Sequence, residues 1–287
     1  MECRILSQGG FGLSFSKGDS SSIIALSGVI VLLCNFTFSF SGFSKPLVMF
    51  PFNADCRGLE YFSQLDLAYI SPNVRPAPGA DGIPGGSMEV IGRHDSFIEI
   101  GNFDGGYVDA RTSITILAFV YPLGDCGPII TYGTCGYGVQ IWQEPLQPEY
   151  SQSGTGTLAA CFVTRDLTVA IPIRKAVLNI NAWNYIGASY DYTTGIARLW
   201  HNGEEVEALL IGPGFELATQ FPIRIGALNN PWQEHFFTGR ISHLHIYSEA
   251  LTVENIQAVG CNSEKGLFVV IDVFKELRPL CQRGFFF

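Results

Sequence analysis

Two histidines one residue apart are the first residues in this sequence whose types and spacing could do chemistry. His243 and His245 flank Leu244 within a largely apolar run, 236–247. Side chains two positions apart in a β-strand share a face, so both imidazoles could ligate one metal ion. A zinc site needs three or four ligands, and no third ligand is identifiable. The pattern therefore favours two ordinary sheet histidines over a metal centre.

Paired carboxylates are the second kind of chemistry, because a glycoside hydrolase needs an acid and a nucleophile or base facing one cleft. The nearest pair on one predicted strand and its following loop is Glu99 and Asp104. Glu99 alternates with Ile98 and Ile100, which is typical of a solvent-facing strand residue. The sequence contains no nucleophile-elbow, P-loop or dinucleotide-binding motif. We therefore predict no catalytic residues.

Three aromatic residues in or beside polar loops are the strongest candidates for ligand binding: Trp142, Tyr150 and Trp232. Trp142 borders the predicted loop 143–156, in which Tyr150 lies, and Trp232 lies in the predicted loop 229–236. Pro, Gln and Asn flank these rings. Aromatic rings in such loops can stack on sugar rings or anchor a partner protein. The alternative, above all for Trp142, is burial at the end of a core strand.

The elements that must position these residues are β-strands. Short runs of alternating, β-branched or aromatic residues recur over 47–247, and turn signals such as Asn202-Gly203 separate them. The 22 Phe, 11 Tyr and 4 Trp accompany 32 Gly and 15 Pro, which predicts an all-β antiparallel sandwich. One short helix is predicted at 251–257, with Thr252 as its cap and Gly260 at its end.

Composition and charge exclude two further classes of protein. Hydrophobic residues are 47% of the chain and charged residues 15%, so bulk disorder is excluded. The 17 Lys and Arg stand against 26 Asp and Glu, giving a net charge of −9. A basic face large enough for nucleic acid is therefore not expected.

The N-terminal region predicts secretion. No charged residue occurs over 20–44, and 23–34 is an apolar run of signal-peptide length. Small residues at 39 and 41 place cleavage before Gly42, which makes 1–41 a signal peptide. One alternative is a signal anchor that uses the whole uncharged stretch as a tilted span. Another is an incorrect start of the chain.

Six cysteines follow the predicted cleavage point, and an even number in a secreted chain indicates disulfides. They allow fifteen pairings, between which the sequence does not choose. Our preferred pair is Cys56 with Cys261, which would join the two ends of the domain. Cys126, Cys135 and Cys161 lie close in the sequence and could hold a second bridge.

Four motifs in order resemble those of laminin-G-like, or pentraxin-like, jelly-roll domains. The segments are 113–122 (SITILAFVYP), 183–191 (WNYIGASYD), 196–203 (IARLWHNG) and 237–252 (FTGRISHLHIYSEALT). Most relatives have Trp where this chain has Phe119. The resemblance covers about 47–261, so we place a single domain at 42–261. The loop 78–82 (PGADG) is also similar to secreted cnidarian proteins of this superfamily, including coral skeletal-matrix components.

The resemblance implies two curved antiparallel sheets in a concanavalin A-like sandwich. Trp183, Trp200 and Phe119 would anchor the core between the sheets, and the short helix would cover one edge. The final strand would return beside the first, which would let Cys56 and Cys261 meet.

Calcium is the one cofactor that the resemblance suggests, because such domains often bind it at a loop rim. Asp104, Asp109, Asn229 and Asn230 lie in predicted loops and could supply the hard oxygen ligands that Ca²⁺ prefers. No Asp pair stands at a diagnostic spacing. The alternative is that these four are ordinary turn residues.

The sequence thus predicts a secreted, non-catalytic binding or adhesion module, or a matrix component. Its expected partners are extracellular glycans or matrix proteins, not nucleic acid, and a membrane only if the N-terminal segment is an uncleaved anchor. The alternative is a calcium-dependent, carbohydrate-binding lectin; a glycoside hydrolase is least favoured. The tail 262–287 carries a helical stripe of apolar residues, and helix and irregular structure both stay open for it.

Overall fold

The predicted strands are present in a computed structural model, which describes residues 44–102, 106–133, 137–145, 155–230 and 235–264. The predicted signal segment, the tail from residue 265, and four predicted site residues (Asp104, Cys135, Tyr150 and Trp232) lie outside those ranges. In chain order the elements are β1 Val48–Phe50, β2 Ala68–Ile70, β3 Arg75–Ala77, β4 Ser87–Ile91, β5 Ile98–Ile100, β6 Ile114–Pro122, β7 Gly127–Tyr132, β8 Gln140–Glu144, β9 Thr155–Val163, β10 Ala170–Asn179, β11 Asn184–Asp191, β12 Ile196–His201, β13 Glu204–Leu210, β14 Ile223–Ile225, β15 Thr238–Tyr247 and α1 Val253–Glu264.

Two antiparallel sheets form the predicted jelly-roll sandwich. The first sheet has the order β13-β12-β11-β6-β15-β4-β3, with β1 also paired to β15. The second has the order β10-β9-β8-β7-β14-β5-β2. The return of the final strand beside the first is confirmed, because Met49 lies opposite His245. The Asn202-Gly203 hairpin is confirmed as well: both residues have positive φ, 53° and 81°, as a two-residue turn requires.

The main core lies between the sheets and is built by alternation along the strands. In β6, Ile116 and Ala118 point into this core, together with Ile130 of β7 and Ile225 of β14. All are fully or almost fully buried. Burying side chains of this size, at about 1.5–3 kcal/mol each, is the main force that holds the two sheets together.

A second apolar cluster lies on the outer face of the first sheet, and it corrects one expectation. Phe119 and Trp200 belong to this cluster and not to the core between the sheets, and Trp183 packs against it half-buried. Phe119 stacks on Tyr185 at 4.8 Å between ring centroids. The physical reason is that β6 is buried on both faces, so its near-continuous apolar pattern does not reveal which face a residue takes.

The helix α1 covers this second cluster, and it also lies beside the edge strand β13, where Gln257 Nε2 donates to the Gly203 carbonyl at 3.1 Å. Thr252 caps it as predicted, because its Oγ1 accepts a hydrogen bond from the Asn255 N–H at 3.4 Å. Gly260 does not end the helix; it lies inside it, where a Cβ would come 2.7 Å from the Tyr185 ring. Glycine is needed there for close packing. Among the described residues, no helix is both long and apolar enough to cross a membrane.

The cysteines divide into two groups. Cys56 and Cys261 are each disulfide-bonded, and the pairing of one with the other stays a prediction. No disulfide joins Cys126 to Cys161, and Cys135 lies outside the described residues, so a second bridge that includes Cys135 stays a prediction. Cys161 lies level with Thr131, whereas Cys126 precedes the opposite end of β7, more than about 10 Å away along the strands. A disulfide needs Cα atoms within about 7 Å.

Candidate functional site

One row of side chains crosses the outer face of the second sheet. The register places Glu99 opposite both Tyr69 and Arg224, Arg224 opposite Thr131, and Thr131 opposite Gln140. Residues opposite each other share a face, and the neighbours of Glu99 in β5 are core residues, so this row faces outward. At about 4.8 Å per strand, the row runs about 19 Å from Tyr69 to Gln140.

Two aromatic residues extend the row by alternation. Phe97 precedes Glu99 by two positions, and Trp142 follows Gln140 by two. We call this set the outer-face row; its members are Tyr69, Phe97, Glu99, Arg224, Thr131, Gln140 and Trp142.

Arg224 organises one half of the outer-face row. Its guanidinium lies over the Phe97 ring, 4.0 Å from the centroid. Its Nε donates to Glu99 Oε2 at 2.5 Å, and its Nη1 donates to the Leu228 carbonyl at 3.3 Å. Tyr69 lies beside Phe97 at 5.9 Å between ring centroids and is 58% exposed. This half therefore combines an accessible ring with a fixed, neutralised ion pair.

Trp142 forms the other half, with Gln140. The indole Nε1 donates to Gln140 Oε1 at 2.7 Å, which ties the ring to the sheet. Gln140 itself is buried, yet its amide nitrogen makes no hydrogen bond to the described residues. Trp142 is half-buried on the outer face, not inside the core. Its flanking strand partners, Pro128 and Ala159, are small or apolar.

A second ion pair lies at the Trp142 end of the face. Glu144, two positions after Trp142, meets Arg174 at 3.4 Å. The face therefore carries two arginines, and each has a glutamate as its counter-charge. Its electrostatic character is that of a neutral surface with rings and amides.

Asp109, a predicted calcium ligand, is fully engaged by protein groups. Arg165 donates to both carboxylate oxygens at 2.9 and 2.8 Å, and Thr219 Oγ1 donates to Oδ1 at 2.6 Å. Burial by itself raises the pKa of the Asp109 carboxyl, but the hydrogen bonds from Arg165 and Thr219 outweigh it and hold that pKa below its ordinary value. Asp109 therefore acts as a clamp between loops.

The described members of the predicted calcium set lie on either side of β14 in the chain. Asp109 is bonded to Thr219, which precedes β14, whereas Asn229 and Asn230 follow β14 at its other end. Asp104 lies outside the described residues. Within the described ranges, no group of three or more His, Cys, Asp or Glu could hold a metal ion.

The two histidines of β15 lie beside the second apolar cluster. His243 lies edge-on to Phe119 at 6.0 Å, within a bulge of the strand where its own φ is +50°. His245 is buried, with Nδ1 3.3 Å from the Tyr247 hydroxyl. Burial lowers the pKa of His243 to about 4 and that of His245 to about 3, so both imidazoles are neutral near pH 7. The hypothesis of a shared metal-binding face assumes that side chains alternate regularly along the strand. The bulge interrupts that alternation at His243.

Sequence reasoning missed Arg224, Phe97 and Gln140. Arg224 stands between Ile223 and Ile225, so alternation alone could have placed it on an outer face. What alternation cannot show is that β14 inserts between β5 and β7, which brings Arg224 beside a glutamate 125 residues away.

Comparison with protein-family profiles places the chain in a known superfamily. A laminin-G-type family profile, described as the concanavalin A-like lectin/glucanases superfamily, matches residues 95–257. This stretch includes every member of the outer-face row except Tyr69. None of the curated proteins compared with the chain matches it.

Comparison with solved structures gives the same architecture. The binding domain of botulinum neurotoxin serotype G superposes with a TM-score of 0.56 at 13% identity, over 75% of this chain and 50% of that one. The serotype D ligand-binding domain, solved with N-acetylneuraminic acid, gives 0.53 at 13% identity, over 77% and 50%. The binding domain of Paraclostridial Mosquitocidal Protein 1 gives 0.54 at 15% identity, over 75% and 51%. The chain thus spans about half the length of these structures, and the likeness is one of fold.

Proposed function

Because the chain belongs to the concanavalin A-like lectin/glucanases superfamily, we propose that it is an extracellular, non-catalytic module that binds carbohydrate. The outer-face row is the proposed site. The single observation that carries this proposal is the arrangement of that row: aromatic rings at both ends, with an amide and an ion pair between them.

Carbohydrate suits this arrangement because sugars present both apolar C–H faces and hydroxyl groups. A ring such as Trp142 stacks on the C–H face, and the Gln140 amide nitrogen can donate to a hydroxyl. The serotype D toxin domain was solved with a sugar, N-acetylneuraminic acid. That shows sugar binding for the toxin domain, and it supports the same class of ligand here.

The non-catalytic part of the proposal rests on Glu99. Its carboxylate is held by Arg224, and no second acidic residue of the described face stands opposite it across a cleft. A hydrolase needs a pair of carboxylates with separate roles. The superfamily also includes glucanases, so turnover of the bound sugar would contradict the non-catalytic part of the proposal.

Secretion is supported by two features. The apolar stretch 23–34 has signal-peptide length, and disulfide-bonded Cys56 and Cys261 fit an oxidising compartment. A bridge between Cys56 and Cys261 would tie the segment after β1 to α1. An adhesion or matrix role follows if the glycan belongs to a matrix.

Trp142→Ala tests the proposed site. We expect it to weaken binding of the best ligand from a glycan array by about five- to thirtyfold, since a stacking ring contributes on the order of 1–2 kcal/mol. The matched control is Trp183→Ala, which removes the same side chain from beside Tyr121 on the other sheet. Isothermal titration calorimetry of both variants, with melting temperatures measured in parallel, gives the comparison.

Either of two results would contradict this assignment. The first is unchanged affinity in Trp142→Ala with a melting temperature like that of the parent. The second is an equal loss in Trp183→Ala. Binding of matrix proteins but of no glycan would instead favour an adhesion module with a protein partner.

Removal of calcium tests the lectin alternative. Because Asp109 is saturated by Arg165 and Thr219 and lies at the opposite end of β14 from Asn229 and Asn230, we expect glycan affinity to stay within about twofold when EDTA replaces calcium. Loss of binding in EDTA, restored by added Ca²⁺, would establish the calcium-dependent lectin instead.

A further inference from the structure

We infer that the ligand of the outer-face row is an uncharged oligosaccharide, and that the face discriminates against sialylated, uronate-containing and sulfated glycans. This inference rests on the proposed function, because it names the class of sugar bound at the same site. It follows from the fact that each arginine of the face is already paired with a glutamate.

The Arg224 guanidinium is the only cation within the outer-face row, and three protein groups already hold it. Glu99 accepts from its Nε, the Leu228 carbonyl accepts from Nη1, and the Phe97 ring covers one of its faces. Its side chain is only 15% exposed. A carboxylate or sulfate on a sugar would have to displace Glu99 or lie beside it, and like charges at such a distance repel.

The second cation of the face, Arg174, has the same arrangement. Its Nη2 meets Glu144 Oε1 at 3.4 Å. An anionic sugar that extends from Trp142 toward β10 would therefore meet a glutamate together with the arginine. The two pairs leave the face without net positive charge.

The rest of the described surface reinforces this discrimination. Nine of the eleven described Lys and Arg residues are within 4.0 Å of a carboxylate; they are Arg75, Arg93, Arg111, Arg165, Arg174, Lys175, Arg198, Arg224 and Arg240. The whole chain carries a net charge of −9. An acidic polysaccharide is thus repelled at long range as well as at the site.

What the face offers to a ligand is uncharged. The Tyr69 ring is exposed and the Trp142 indole is half-buried, while the Gln140 side chain, in a residue only 4% exposed, has an amide nitrogen that is not bonded to the described residues. Rings and an amide donor suit the C–H faces and hydroxyls of a neutral sugar. A neutral sugar also has no counter-ion or hydration shell of a charged group to lose.

Matched pairs of glycans that differ only in charge test this inference on the purified protein. One pair is a sialylated biantennary N-glycan and its desialylated form; the other is hyaluronan and carboxyl-reduced hyaluronan. Chitohexaose and cellohexaose are included as neutral probes. We expect the neutral member of a recognised pair to bind about tenfold or more tightly, with affinity almost unchanged between about 50 and about 500 mM salt.

A charge-neutralising variant locates the discrimination at the face. Glu99→Gln removes the counter-charge of Arg224. It should therefore reduce the ratio of the affinities for the neutral and the acidic glycan of each pair by about threefold or more. The matched control is Glu204→Gln, which removes the same charge from an exposed position on β13 of the other sheet. Glu204→Gln should leave this affinity ratio unchanged, because we attribute the discrimination to the charges of the face and not to net charge alone.

The outcomes separate this inference from the proposed function. Tighter, salt-sensitive binding of the acidic members, lost in Trp142→Ala, would overturn the inference and keep carbohydrate binding at this face. An equal reduction of this affinity ratio in Glu99→Gln and Glu204→Gln would overturn the local explanation. Binding of none of these sugars, or binding indifferent to Trp142→Ala, would overturn the proposed function itself.

Discussion

Lowering the pH from 7 to 5 is expected to reduce the free energy of unfolding by about 2–4 kcal/mol, because two histidines must stay neutral in the folded chain. His245 is 6% exposed, and its Nε2 has no hydrogen-bond partner among the described residues. Charging it in place would leave an ion without a counter-charge in an apolar site.

The surroundings of His243 and His245 explain why protonation of these side chains destabilises the fold. His245 is flanked across the sheet by Met49 and Leu117, and the positive charge that forms on His243 disfavours a second one on His245. Asp81 favours protonation of His243, but burial outweighs it and the pKa falls to about 4. His243 is half-buried by surface area, so we assign it the smaller share of the effect.

The direction and the pH range follow from the two pKa values. In the unfolded chain both histidines have their ordinary pKa of 6.5, while in the folded chain the values are about 4 and about 3. At pH values between the folded and the unfolded pKa, the unfolded state binds more protons than the folded state. Stability is therefore complete above pH 6.5 and is lost progressively as the pH falls from 6.5 toward 4 for His243 and toward 3 for His245, with about 2 kcal/mol lost at pH 5 for each fully buried histidine.

Urea unfolding at pH 7, 6 and 5 measures this loss. His245→Phe should be less sensitive to acid than the parent, because one of the two titrating groups is gone. His94→Phe is the control, since His94 is exposed in the loop after β4. Equal stability of the parent at pH 7 and pH 5 would show that the cluster accepts protons without cost.

The fold was predictable because its signals are local. The near-continuous apolar run in 113–122 and the Asn202-Gly203 turn depend on neighbours in the chain, and both features appear as expected. The side of the sheet taken by Phe119 was not predictable, because both faces of β6 are buried. The role of Gly260 was missed for a related reason: its need for a bare backbone comes from Tyr185, on a distant strand.

The candidate site was predictable only in part, for the same physical reason. Trp142 could be chosen as an aromatic residue beside a polar loop, and the structure places it on an outer face. The Glu99–Arg224 pair depends on strand order, which no local pattern contains. Asp109 was read as a loop ligand because its partners, Arg165 and Thr219, are 56 and 110 residues away.

Asp109→Ala is expected to lower the free energy of unfolding at pH 7 by about 2–3 kcal/mol, because it breaks charge-assisted hydrogen bonds and leaves Arg165 without its counter-charge. Asp109 precedes β6, Arg165 follows β9 and Thr219 precedes β14, so one carboxylate joins three loops. The side chains of Asp109 and Arg165 are only 16% and 26% exposed, which limits screening by water.

The matched control is Glu216→Ala, which removes a neighbouring ion pair with Arg111 at 2.8 Å. Both partners of that pair are more than 40% exposed, so its loss should cost less than about 1 kcal/mol. The pKa of Asp109 is lowered in the folded chain, so its contribution is present above an ordinary carboxyl pKa and is lost only as the pH falls below it.

The two acid effects therefore occupy different pH ranges and can be measured separately. Asp109 is still ionised at pH 5, where the histidines already destabilise the fold, so Asp109→Ala should lose the same additional free energy between pH 7 and pH 5 as the parent does. An Asp109→Ala variant as stable as the parent at pH 7 would show that other contacts hold the three loops together. The Asp109 carboxylate would then again be a candidate ligand for a metal ion. The glycan affinity of the Asp109→Ala variant, measured in calcium and in EDTA, would decide that role.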